Sequence, residues 1–119
     1  MGLKKISLDN SAYIESFGDA IIFNSEREIL DLIGSSSEHD TPLFLFHGKN
    51  ISSDFFNLST GLAGYFFQKC SNYCLRAAFV INFEDVSSER FKELMSEMNN
   101  SSQVRFFNDK SAAEKWLVS

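Results

Sequence analysis

The order of apolar patterns along this chain predicts an α/β domain with a mixed, mostly parallel sheet, and three observations carry that prediction. Two apolar runs, Leu43-Phe44-Leu45-Phe46 and Leu75 to Phe83, have the composition of strands covered on both faces. Between them, Leu58, Leu62, Phe66 and Cys70 recur every four residues, with Ala63 and Phe67 beside them, as on a helix that lays a wide apolar face onto a sheet. At the start, short strand-like segments at Lys4 to Leu8 and Ala12 to Phe17 meet across Asp9-Asn10-Ser11, whose side chains favour tight turns, so a hairpin is expected.

The remaining elements follow from their end signals. After Ala20-Ile21-Ile22-Phe23, Ser25 and Glu28 form a capping box, and Ile29, Leu30 and Ile33 give a first helix closed by Gly34. The Ser-rich run from Gly34 to Asp40, ending at Thr41-Pro42, reads as a surface loop. The middle helix is opened by Asp54-Phe55-Phe56-Asn57-Leu58-Ser59-Thr60-Gly61-Leu62-Ala63-Gly64, with Gly61 and Gly64 placed for a close approach, and Asn72-Tyr73 end it. A third helix starts at Ser87, buries Phe91, Leu94, Met95 and Met98, and frays at Asn99-Asn100; its partner strand is Gln103 to Phe107. Ser111 and Glu114 read as a capping box for a last helix that buries Ala112, Ala113, Trp116 and Leu117. Strand-helix-strand units need right-handed crossovers, hence the parallel sheet.

Composition bounds the function. A chain of 119 residues reads as one domain, 1–119, and its 13 Phe make an unusually aromatic core, each ring worth roughly 1.5–3 kcal/mol when buried. A net charge of −5 with scattered basic residues argues against nucleic acid, which needs a basic stripe. Cys70 and Cys74 read as free thiols, and the lack of an apolar leader-like run near Met1 places the expected location in the cytoplasm. Nothing approaches the roughly 18 apolar residues of a membrane span. His39 and His47 lie far apart without a Cys-x-x-Cys, and no glycine loop cradles a phosphate, so neither metal nor cofactor is expected.

Lys49-Asn50, Asp54-Phe55-Phe56, Thr60-Gly61-Leu62-Ala63-Gly64, Gln68-Lys69 and Ser71-Asn72-Tyr73, with Ile29-Leu30-Asp31-Leu32 and Glu114-Lys115-Trp116-Leu117, resemble the bacterial family known as domain of unknown function 4180, over nearly the whole chain. The sequence is similar to a divergent member. Gly48 stands where the resemblance implies an acidic residue, Asn57 where it implies Asp, Tyr65 where it implies Glu, and Ile81-Asn82 where it implies Gly-Asp. A site built on those acidic positions would be lost here.

The element order is also similar to the sulfate transporter and anti-sigma factor antagonist (STAS) domain, a small module that docks onto a partner protein. That likeness implies a STAS-like single domain and puts Leu58-Ser59-Thr60-Gly61-Leu62 at its phosphorylatable helix start, with Leu58 in place of the Asp and Ser59 at the phosphorylatable position. A helix start tolerates a phosphate through its free N–H groups, whereas a docked apolar surface does not. Ser59 and Thr60 are therefore phosphorylation candidates, although Ser and Thr at such places ordinarily cap helices.

Ligands of open α/β sheets bind beyond the carboxyl ends of the strands. The polar residues expected there are His47, Lys49, Asn50, Asn82, Glu84 and Asp85, joined by Asp54, Ser59 and Thr60. His47, ending a buried strand, suits a general base or ligand donor, yet no nucleophile or partner carboxylate can be assigned to it from spacing. Adjacent Phe pairs, Phe55-Phe56, Phe66-Phe67 and Phe106-Phe107, cannot point the same way. Their rings are covered on both sheet faces or form, with Tyr65, a patch for a partner, a second copy or a hydrophobic ligand. Two readings follow. One is a non-enzymatic protein-interaction or partner-switching module that docks a protein partner, or a twin subunit, through Gly48 to Ser53 and the next helix start. The other is a small-ligand or hydrophobic-ligand binder, or an enzyme, with a pocket at His47, Asp54, Thr60 and Asn82. The absence of convergent catalytic types favours the first.

Overall fold

The computed structural model describes residues 2–119, in which five strands make one sheet with helices on both faces. The strands are β1 (Leu3–Ser7), β2 (Ala12–Ser16), β3 (Leu43–His47), β4 (Arg76–Val80) and β5 (Val104–Phe107), side by side in chain order. β1 and β2 form the expected antiparallel hairpin, with Leu3 opposite Ser16, and β2 to β5 are parallel. The helices are α1 (Glu26–Glu38), α2 (Leu62–Asn72), α3 (Glu89–Met98) and α4 (Lys110–Leu117).

Right-handed crossovers between strands laid down in sequential order put every crossover helix on the same face. One cluster accordingly joins Ile29 and Ile33 of α1, Phe66 of α2 and Phe91 of α3 to Phe44, Phe46, Phe79 and Phe106 of the sheet. The opposite face presents Tyr13, Leu45 and Ala78, and among the described residues only α4 covers it, through Ala113 and Leu117. The two faces thus differ in kind: a Phe-rich cluster against three helices, a smaller mixed cluster against one.

Phe23 sits within the aromatic core, its ring 4.7–5.0 Å from those of Phe46, Phe55 and Phe66. Its backbone has φ 69°, a left-handed conformation that bulky residues avoid, so the surrounding rings hold it there. In each adjacent Phe pair one ring is fully buried and its neighbour half-buried. The half-buried members pack within the fold: Phe56 on Phe91, Phe67 on Phe106, and Phe107 on Trp116 across the sheet.

Several element ends differ from the sequence reading. Gly34 to Glu38 is not a loop: α1 continues through it, because Ser35 is buried and returns its hydroxyl to the Leu32 carbonyl, extending the stripe of Ile29, Leu32 and Ile33. The helix stops at Asp40, with φ 54°, where the Thr41 N–H donates to Ser36 O and the Asp40 N–H to Ser37 O in a Schellman arrangement. Cys74, also at φ 54°, ends α2 in the same way, with the Leu75 N–H donating to Cys70 O. α2 starts only at Leu62, after short 3-10 turns at Gly48–Asn50, Ser53–Phe56 and Leu58–Thr60, so Leu58 lies outside it. Gly61 is needed for its φ of +75°, not for a close approach; a Cβ at Gly61 or Gly64 would meet open space, and nothing in the structure explains Gly64. Ser88, not Ser87, caps α3, accepting from the Phe91 N–H. α4 is capped by Asp109, whose Oδ1 accepts from the Ala112 N–H, so the Ser111–Glu114 box does not form. Among the described residues no helix is long and apolar enough to cross a membrane.

Candidate functional site

Beyond the carboxyl ends of β3 and β4 the connections to α2 and α3 part to leave an open cleft of about 700 Å³. Its floor is Phe56, Val80, Ile81 and Val86; its polar rim includes Lys49, Asn57, Asn82 and Asp85. Local capping builds both lips. Ser52 accepts from the Asp54 N–H and Asn57 from the Ser59 N–H, setting the turns before α2; Asn82 accepts from the Glu84 N–H, setting the turn before α3. The cleft follows from the strand ends alone: with the parallel strands in unbroken order, the sheet has no point where the strand order reverses.

The cleft takes in Lys49, Asn82 and Asp85 of the candidate residues. His47, Asp54 and Thr60 do not line it, so those three and Asn82 do not share one pocket. Asn50 is fully buried and structural: its Nδ2 donates to the carbonyls of Gly18 and Ala20 at 3.0 and 2.9 Å, fastening the connection after β2 to the end of β3. Ile22 and Ile51 complete that seam as an isolated parallel bridge. Asp54 is exposed, and its backbone carbonyl accepts from the Thr60 hydroxyl at 2.7 Å. Ser59 is exposed and donates its hydroxyl to Asn57 Oδ1 at 2.7 Å, so it touches a residue of the cleft wall.

His47 faces the other side of the sheet. Its Nε2 lies 2.6 Å from Glu15 Oε2, and Lys110 Nζ lies 2.8 Å from the same oxygen. Glu15 is 4 % exposed. Burial pushes its carboxyl up, but hydrogen bonds from Lys110 and His47 outweigh that and hold it below the ordinary glutamate range. One turn further along α4, Glu114 accepts from the Tyr13 hydroxyl at 2.6 Å. Glu15 is the carboxylate partner of His47 that spacing does not reveal, because 32 residues separate them. The signal available was a Glu at the end of a segment otherwise reading as a buried strand.

A family model described as "Domain of unknown function (DUF4180)" matches residues 8–117. The chain belongs to this family. No curated protein and no solved structure matches it. In this DUF4180 domain, Gly48, Asn57, Ile81 and Asn82, where the sequence resemblance implies a different pattern rich in acids, all line the cleft, while Tyr65 stands apart with Lys69 over its ring. The cleft of this chain is therefore walled by amides and hydroxyls, with Lys49 and Asp85 as its charges. Its two cysteines are free thiols, Cys70 buried and Cys74 exposed.

Proposed function

We propose that this DUF4180 domain is a non-enzymatic interaction module of the cytoplasm that receives a segment of a protein partner in the cleft beyond β3 and β4. The observation that carries this reading is the cleft's build. An apolar floor under a polar rim whose charges balance, open to solvent, has the anatomy of a protein contact: buried apolar centre, polar periphery. The balanced pair of Lys49 and Asp85 suits an uncharged or mixed segment.

Ser59 is the proposed switch. A phosphoryl group there adds about −1.5 to −2 charge and removes the hydroxyl proton that Asn57 Oδ1 now accepts, releasing that wall residue. Thr60 is the lesser candidate, its hydroxyl being spent on the Asp54 and Asn57 carbonyls.

The test is a photoactivatable residue at Asn57 or Asn82, with Glu97 on α3 as control, irradiated in living cells. Adducts to one protein from positions 57 and 82 but not 97, lost with Ser87→Trp in the cleft and weakened by Ser59→Asp, are expected. An adduct of twice this chain's mass identifies a second copy as the partner. A small molecule retained in native mass spectrometry and expelled by Ser87→Trp overturns the reading in favour of ligand binding.

A further inference from the structure

We infer that Glu15 is a proton-operated latch that fastens the first turn of α4 to the sheet and releases it in acid. The latch is built from three elements: β2 supplies the carboxylate, β3 supplies His47 and α4 supplies Lys110, both donors meeting on Oε2. Lys110 is the first residue of α4, and α4 has no acidic residue in its first turn. A cation there faces the positive end of the helix dipole and is unfavourable by itself. Ionised Glu15 more than offsets that penalty, so the pair is a net attachment; protonated Glu15 leaves Lys110 against the dipole with its partner gone. The same proton therefore removes an attraction and exposes a repulsion.

The surroundings favour a local opening. α4 has eight residues, and on the sheet it meets Tyr13, Leu45 and Ala78, a cluster separate from the ring-rich core on the other face. Its other end is held independently, by Arg76 donating to the carbonyls of Trp116, Leu117 and Ser119. The charged groups around Glu15 are few. β1 places Lys4 directly across the strand pair, β2 adds the Tyr13 phenol, β3 adds His47, and α4 adds Lys110, the Asp109 cap and, one turn on, Glu114. β4 and β5 present Val80 and Phe107 at this end of the face, their Arg76 and Arg105 lying over Trp116. Because Glu15 titrates below the ordinary glutamate value of 4.5, the latch stays shut at neutral pH and opens only in acid.

The experiment is residue-resolved hydrogen exchange from about pH 7 to about pH 3, in an Asp109→Asn background that keeps the cap but removes its titration. Protection of α4 amides is expected to fall about tenfold or more in acid while that of β4 amides holds. Glu15→Gln should show the low α4 protection already at neutral pH, with a flat profile. Lys110→Met, which leaves Glu15 its His47 partner, tests the latch if Glu15→Gln does not fold, and should loosen α4 at neutral pH. Loss of α4 and β4 protection together, or an acid profile that persists in Glu15→Gln, or full α4 protection at neutral pH in Lys110→Met, overturns the inference.

Discussion

The Asn50 side-chain amide donates to the Ala20 carbonyl across 30 residues, at 2.9 Å, from a fully buried position. With its second and third acceptors, Gly18 and Phe17, this one side chain closes the connection between β2 and α1 onto the start of the cleft wall. Asn50→Ala takes the donor from the Gly18 and Ala20 carbonyls and unfastens the connection, and is expected to cost about 1–3 kcal/mol. Urea denaturation checks it. Asn50→Asp, which replaces the donor with a buried charge, should cost more.

Phe23 pairs a strained backbone with a buried ring packed against Phe46, Phe55, Phe66 and Phe79. Phe23→Ala should lower stability by about 3–5 kcal/mol, the range for deleting a buried aromatic side chain. The loss of the ring outweighs whatever strain its removal relieves, since a left-handed residue costs only about 1–2 kcal/mol. Thermal and urea unfolding of the variant measure the difference.

Tyr13 should make the fold sensitive to alkali. Burial, then the hydrogen bond to Glu114 and the charges of Glu114 and Glu15, raise its phenol above the ordinary value of 10.0. In the unfolded chain the phenol ionises near that ordinary value, in the fold it does not, so its contribution is intact below it and is lost as pH rises beyond. Tyr13→Phe should remove this component of the alkaline loss, at a cost of about 1–2 kcal/mol near neutrality from the abandoned Glu114. Unfolding midpoints across the alkaline range, with phenolate absorbance as a second readout, decide it.

Thiol chemistry should separate the two cysteines. Cys70 is fully buried and its thiol is pushed up to about 12 by that burial, whereas Cys74 is exposed beyond the end of α2. A thiol reagent under native conditions should label Cys74 alone, and both only in denaturant. Rapid native labelling of Cys70 would contradict the packing of α2.

Much of the fold could be read from the chain because its signals are local. The hairpin turn at Asp9-Asn10-Ser11, the Ser25–Glu28 box and the four-residue stripe of α2 each act within a few residues of themselves. Misplaced ends arose where a distant contact overrode a local preference. Ser35 and its neighbours look like a loop until Ser35 is buried, and Ser111–Glu114 looks like a cap until Tyr13, 101 residues away, claims Glu114. Lys49, Asn82 and Asp85 lie at the cleft because all three follow strand ends, a position periodicity reveals. The diversion of His47 to Glu15 and of Asn50 into the interior left no such trace.

The sequence by itself determined the element order, the parallel sheet behind an antiparallel hairpin and the family, since hydrophobic period, turn chemistry and crossover handedness are properties of short segments and of chain continuity. Which polar residues meet was decided only by the tertiary structure. Hydrogen bonds and ion pairs act over about 3 Å, and whether Glu15 reaches His47 and Lys110 depends on strand register and on which face α4 covers, neither of which any single segment encodes.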